Sequence, residues 1–368
     1  MHRGHSNRSG ALLAALLWLA IAGDTGRADT PVAKADLPEP LPDKCVMSWK
    51  DAGFKVVWLR TDPFGHFSSG GGHPGDLPGF YIGYWQEGCV AKRPPPERAF
   101  GLSLHGSKVT DAGLKELAGL ASLRSLSLRG TRVTDAGMKE LAGMPATRSL
   151  DLGYTKVKGE GLKELVVLKG LQALNLQGTP VTDECLSELH RVAGLRALSL
   201  QNTQLSGAGL KNLAGLKCLQ LLDLGGSKVT DEGLKKLVGL KNLHSLELSH
   251  TKATDAGLKG LAGMTSLQTL SLESTAVTDV GMKELVGLTN LQSLNLCSTV
   301  VTDEGVKELA GLKNLQTLYL RNTWLTDAGL STLAGMKGLR SLCVGGPKVT
   351  DAGLNELRRA LPACDVQE

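Results

Sequence analysis

The phrase Val-Thr-Asp-x-Gly-Leu returns down this chain every twenty-four residues. It reads Val109-Thr110-Asp111-Ala112-Gly113-Leu114 and comes back, with at most one change, from Val133, Val181, Val229, Val277, Val301 and Val349. The Thr slot falls at 110, 134, 158, 182, 206, 230, 254, 278, 302, 326 and 350, without an insertion or deletion. A unit this short cannot bury its apolar residues alone. It must stack on copies of itself, so the period predicts a solenoid.

One unit shows the local logic. Leu126 and Leu128 alternate with Ser127 and Arg129, the pattern of a strand with one buried face. Met138, Leu141 and Met144 then recur at helical spacing, so a short helix follows. Thr134 or Asp135 is placed to cap that helix. Gly143 reads as its stop and Gly137 as a point of close approach. A Thr column (131, 155, 179, 203, 251, 275, 299, 323) is expected to satisfy the backbone of the adjacent turn. Lys158-Gly159 and Ser206-Gly207, where Thr-Asp lapses, read as tolerated losses of a cap.

The flanks differ from the repeats. Arg3 and Arg8 precede an apolar stretch, Ala11–Ala22, that ends in the small-x-small sequence Ala20-Ile21-Ala22. This predicts a signal peptide over 1–22. Its twelve apolar residues fall short of the roughly 20 that span a bilayer. An uncleaved amino-terminal anchor is the alternative. The mature chain is therefore expected to be extracytoplasmic, periplasmic or secreted. Residues 23–44 read as a Pro-rich linker. Residues 45–100 hold all five Phe of the chain, and 45–99 read as an aromatic, Gly-rich cap module. Val56–Leu59 and Tyr81–Trp85 are expected strands there, joined by a flexible loop at Ser68–Gly72. The repeats occupy 100–361 as about eleven units, and 362–368 form a carboxyl-terminal cap with a short edge strand from Ala363 to Val366.

The unit LxxLxLxxTxVTDxGLxxLxxL resembles the cysteine-containing and ribonuclease-inhibitor-like leucine-rich repeats. It is similar to bacterial exported proteins built of T-x-V-T-D-A-G-L-K-x-L units. The resemblance implies an α/β leucine-rich-repeat solenoid, a curved parallel sheet inside and short helices outside. It implies a non-enzymatic protein-binding role. A similar phrase occurs in substrate-recognition repeats of F-box proteins, but residues 45–100 lack the helical bundle an F-box needs. A ubiquitin-ligase role is therefore rejected.

Composition removes further classes. The formal charge of +5 falls to +3 once Arg3 and Arg8 are removed with the signal peptide. No dense basic run stands out, so nucleic acid is not the expected partner. No catalytic motif is present and no cofactor is expected. Seven cysteines are present; Cys45 and Cys89 flank the cap module and are expected to pair.

Side chains beside each Leu-x-Leu face the exposed side of the sheet. There Asp223, Glu247 and Glu273 come from three consecutive units and are expected to form an acidic strip, with His250 beside it. Tyr319 and Arg321, types enriched in binding hot spots, lie two units on. The strip suits a protein partner with a basic patch; the plain alternative is an ordinary solvated surface. Flat positions about 4.8 Å apart do not converge on one metal ion. Cys297 and His250 sit roughly 10 Å apart by the same spacing, too far for a nucleophile and its base. A second functional reading, carbohydrate-binding or enzyme-associated, places the site within 45–98. His66, His73, Asp62 and Asp76 are its candidate residues.

Overall fold

A computed structural model of the protein describes residues 39–368, apart from position 74. The signal peptide and most of the linker lie outside the described residues. The chain divides into two compact units. One runs to Val181 and takes in Arg191–Ser199; the other is Thr182–His190 with Leu200–Glu368.

The first unit opens with helix α1 (Asp43–Asp51), so the end of the expected linker is helical. Strands β1 (Lys55–Thr61), β2 (Phe67–Ser69) and β3 (Leu77–Tyr81) follow. The expected second strand at Tyr81–Trp85 is corrected: the strand ends at Tyr81, and Trp85 is buried in the loop beyond it. Strand β1 pairs antiparallel with both β2 and β3. Strand β3 then pairs parallel with β4 (Phe100–Ser103), which hands the sheet to the repeats. The parallel ladder continues through β5 (Leu123–Ser127), β6 (Ser149–Asp151), β7 (Ala173–Asn175) and β8 (Ala197–Ser199).

The second unit carries β9 (Leu221–Asp223), β10 (Ser245–Glu247), β11 (Thr269–Ser271), β12 (Ser293–Asn295), β13 (Thr317–Arg321), β14 (Ser341–Gly345) and β15 (Asp365–Gln367), all parallel. The chain thus forms the open, mostly parallel sheet with short helices of a leucine-rich-repeat solenoid. The closing helix covers Asp351–Ala360. The edge strand pairs Val366 with Leu342, which ends the ladder on a short, charged edge.

The Leu pairs are the core. Leu126, Leu128, Leu150, Leu152, Leu246, Leu248, Leu270 and Leu272 have no exposed surface. Helices from Asp135 to Gly215 are of the tighter 3-10 type, while those from Asp255 onward are α-helical.

The polar columns hold the units in register. Thr254 caps its helix by accepting the Ala256 N–H at 3.3 Å. The Asp of the same phrase acts on the next unit instead. Asp231 accepts the Thr254 N–H at 2.8 Å and its hydroxyl at 2.7 Å. The same pair of bonds links Asp111 to Thr134, Asp255 to Thr278, Asp279 to Thr302, Asp303 to Thr326 and Asp327 to Thr350. The glycine of the phrase makes room for this carboxylate: a Cβ on Gly257 would stand 2.5 Å from Asp231 Oδ1. Where Gly207 replaces the Asp, Thr230 has no carboxylate ahead of it and its side chain makes no cap bond. The helix ends at Gly143 as expected, and the position is also a close approach, since a Cβ there would fall 2.6 Å from Ala118 Cα. The Thr column bonds its own unit and not its neighbour: Thr131 Oγ1 donates to Leu128 O at 2.6 Å, and Thr275 to Leu272 O likewise.

Candidate functional site

The exposed face of the strands is the surface that varies from unit to unit, and the two compact units present different versions of it.

In the second unit, β9 and β10 place Asp223 opposite Glu247. Asp223 is only 7% exposed and its Oδ1 accepts the Gly225 N–H at 2.9 Å, so it shapes the turn as well as the face. Glu247 is half-buried. Its Oε1 accepts the Ser249 N–H at 2.8 Å and the Ser249 hydroxyl. Burial pushes its pKa above the ordinary carboxylate range, the Ser249 and Ser271 hydrogen bonds oppose this, and the Glu273 charge adds to it. Glu273 lies one column across and accepts from Asn295 Nδ2 at 3.1 Å. The structure therefore brings the three acidic residues together, though two of them are engaged by their own backbone turns.

The band continues on the next strands. Asn295 sits opposite Tyr319, and Tyr319 opposite Cys343. Tyr319 is half-buried, and its hydroxyl has no hydrogen-bond partner among the described residues. The Cys297 thiol is pushed up to about 12, first by burial, with smaller contributions from Glu273 and Cys343. A thiol so high is not a thiolate nucleophile near neutral pH. Arg321 is exposed.

His250 is exposed but belongs to a different feature. It has φ of 58°, and its N–H donates to Glu273 O at 2.8 Å. Tyr154, Asn202, Ser274, Ser298 and Asn322 repeat this left-handed conformation one position after the face residues. The column is where each strand turns away from the sheet, and His250 is a turn residue before it is a face residue.

In the first unit the face is covered. Asp62 Oδ1 accepts the N–H groups of Phe64 and His66 at 3.0 and 2.9 Å and closes the turn between β1 and β2. The hairpin lies over the strand face. Leu59 Cδ1 and Phe67 Cε1 stand against Gly101, and Gly65 is buried against Ser149 and Ala173. Room for it comes from a column of small residues in register, Gly79, Gly101, Ser125, Ser149 and Ala173. Beside the turn tip, Asp151 is 1% exposed and accepts from Gly153 N and Asn175 Nδ2, both at 2.9 Å. Burial raises its pKa, with His66 and Arg129 among the groups that oppose the rise. This docking was not legible in the sequence. The small-residue column is its one sequence trace.

The cap module is ordered by its own polar groups. Asp76, 2% exposed, accepts from Arg60 Nε at 2.8 Å and from Gly71 and His73 N–H at 3.0 Å. The expected flexible Gly-rich loop is thus wrapped round one carboxylate. The aromatic residues form a core, with Trp49 stacked on Phe80 at 4.4 Å and Phe54 and Phe100 edge-on. The expected Cys45–Cys89 disulfide is not formed. Both are buried free thiols, and Cys45 Sγ is directed at Pro94 O, 3.6 Å away. Among the described residues no group of three His, Cys, Asp or Glu is arranged to hold a metal ion.

Comparison with known proteins agrees with this architecture. The family described as "Leucine-rich repeat region" matches residues 147–352, and "Leucine Rich repeat" matches 119–142. No curated protein matches the chain in sequence. Among solved structures, an internalin from Listeria monocytogenes shares 24% identity over 73% of this chain and 74% of its own, with a TM-score of 0.59. A Leptospira interrogans LRR protein shares 24% identity over 73% of this chain and 72% of its own, with a TM-score of 0.57. A TDR receptor is 17% identical over 72% of this chain and 46% of its own, with a TM-score of 0.51. These likenesses are of fold. The family match covers more than half of the chain, and with the repeat geometry it places this protein in the leucine-rich repeat family.

Proposed function

We propose that this protein is an exported, non-enzymatic interaction scaffold that receives a protein partner on the strand face of its second unit. The observation that carries the reading is the band from Glu247 and Glu273 through Cys297 to Tyr319 and Arg321. It carries two carboxylates at β10 and β11 and an aromatic ring and a guanidinium at β13, with β12 between them, on one parallel ladder. Repeat scaffolds recognise partners through such surfaces. Tyr and Arg are suited to anchor them, and the acidic end suits a basic patch. No thiolate or paired acid and base in the band supports chemistry on a substrate. The aromatic wealth of residues 45–98 goes into a packed core, which favours the cap reading over a carbohydrate platform.

Crosslinking capture with the mature protein identifies the partner. The combined change Glu273→Lys, Tyr319→Ala and Arg321→Glu then tests the band, because none of these side chains holds a turn. Partner affinity should fall at least about 100-fold, equivalent to losing two hot-spot contacts, while the far-ultraviolet circular dichroism is unchanged. Undiminished binding would remove the band from the partner site.

A further inference from the structure

One column of the second unit changes character partway along. It is the slot between the Thr and Val columns, where each unit passes from strand to helix. Exposed lysines fill it at Lys228, Lys252 and Lys348. Between the last two, in three successive units, stand Ala276, Val300 and Trp324, all exposed. Val300 shows 47% of its surface and Trp324 56%. Val280, at the start of the helix that opens at Asp279, adds another apolar side chain that is 66% exposed. A single exposed valine is ordinary, but a run that ends in tryptophan is a patch.

The backbone beneath the row is already paired. The N–H groups of Lys252, Ala276 and Trp324 donate to Val229, Ala253 and Val301 O of the preceding units at 3.1, 3.1 and 3.0 Å. A partner therefore meets side chains held at ladder spacing, and not a free strand edge. The charge at the two ends is open to it. Lys348 Nζ lies 5.1 Å from the centroid of the Trp324 ring, a cation–π contact that leaves the ammonium without a counter-ion. Neither Lys348 nor Lys252 makes an ion pair among the described residues. The aspartates of these units, Asp255, Asp279, Asp303 and Asp327, are half-buried and bonded to the Thr of the next unit.

We propose that this row is a second docking surface, independent of the strand-face band, and that its occupant is an extended segment of another protein with apolar side chains between two carboxylates. The carboxylates meet Lys252 and Lys348, and the apolar side chains cover Ala276, Val300 and Trp324. The spacing sets the register. Lys252 and Lys348 stand four units apart, roughly 19 Å at strand spacing, and an extended chain rises about 3.3 Å per residue. The two carboxylates therefore fall about six positions apart. Alternation then turns the residues two and four positions after the first carboxylate to the same side as both. Trp324 is the anchor, as a large ring at the centre of contact commonly is.

The probe is a fluorescein-labelled peptide, Glu-Thr-Leu-Thr-Leu-Thr-Glu, titrated with the full chain and followed by fluorescence anisotropy. A control peptide carries Lys in place of both Glu. The native protein should bind the Glu peptide saturably, and about tenfold or more tightly than the Lys peptide. W324A and V300K should each weaken it by about tenfold or more, the loss of one good contact. K252E/K348E should weaken the Glu peptide similarly and bind the Lys peptide better than the native protein does. Y319A, on the strand face, should leave the affinity within about twofold. The edge side chains changed are exposed, and unaltered thermal unfolding of each variant shows that the fold is retained. Lack of saturable binding overturns the proposal, as does equal affinity for the two peptides or indifference to both W324A and V300K. Binding to phosphatidylserine vesicles that these variants lose, without binding of the peptide, overturns it in favour of a membrane surface.

Discussion

Asp231 holds the cap of a helix to which it does not belong: its carboxylate takes both the N–H and the hydroxyl of Thr254, one unit on. Gly257 lacks a side chain because that carboxylate occupies the space.

D231A should lower the free energy of unfolding by about 1–2 kcal/mol, the usual worth of a lost cap and its hydrogen bonds. G257A should cost a similar amount, because its new methyl meets Asp231 Oδ1 and Leu234 Cδ1. In D231A/G257A half of that clash is gone. Urea titrations should show the double change costing less than the sum by about 0.5 kcal/mol or more. Strict additivity would mean that the glycine answers to something else.

Two half-buried carboxylates should respond to pH with opposite signs. At Asp183 burial is outweighed by N–H groups of Gly209 and Ser206 and by the Ser206 hydroxyl, so its pKa is lowered. It stabilises the fold above about pH 3.9, its ordinary value, and loses that contribution as pH falls through the folded value. Glu247 is the reverse, raised by burial, so its ionisation opposes folding at neutral pH. E247Q should raise Tm at pH 7 by roughly 1–3 °C and change little near pH 4. D183N should lower Tm at pH 7 and have progressively less effect in acid. Scanning calorimetry across that range decides both, and parallel profiles for the two variants would contradict the assignment.

Cysteine modification should be sharply ordered. Cys218 is exposed, Cys45 and Cys89 are buried, and Cys297 is pushed up to about 12. Iodoacetamide at about pH 8 should reach Cys218 first, by roughly a hundredfold over Cys297, since reaction follows the thiolate fraction. Non-reducing peptide maps should show Cys45 and Cys89 separately alkylated after unfolding. A Cys45–Cys89 crosslinked peptide would restore the pairing that their positions in sequence suggest.

Much of the fold was readable because period, burial and strand alternation are local properties. Leu126 and Leu128 announce their strand, and Val366 announces the edge strand. The site was less readable for reasons that differ by residue. His250 looks like a face residue because sequence shows its position and not its φ of 58°. Tyr at 154 has no left-handed preference; it and His250 each donate a backbone N–H to the next unit from that conformation. Asp223 looks like a free charge, since nothing local reveals that Gly225 N–H claims it. The covered face of the first unit depends on a contact between Gly65 and Ser149, eighty-four positions apart.

The left-handed column also supports a prediction. Ser274 and Ser298 have φ of 54° and 56°. That conformation costs a non-glycine residue about 1 kcal/mol, partly offset by the flexibility glycine adds to the unfolded chain. S274G/S298G should therefore raise the free energy of unfolding, measured by urea titration, by a net of roughly 0.5–1 kcal/mol. A fall would show that the serine side chains are themselves needed in the turn.

The carboxylate ladder gives the solenoid a polarity. A unit peeled from the carboxyl end leaves behind only an acceptor carboxylate, which water can solvate. A unit lost from the amino side strips both hydrogen bonds from the cap of its successor. Erosion is therefore easier from one end than the other. At the amino end, where no aspartate precedes Gly113, the ring of Trp85 stands in that space, 3.0 Å from where a Cβ would lie.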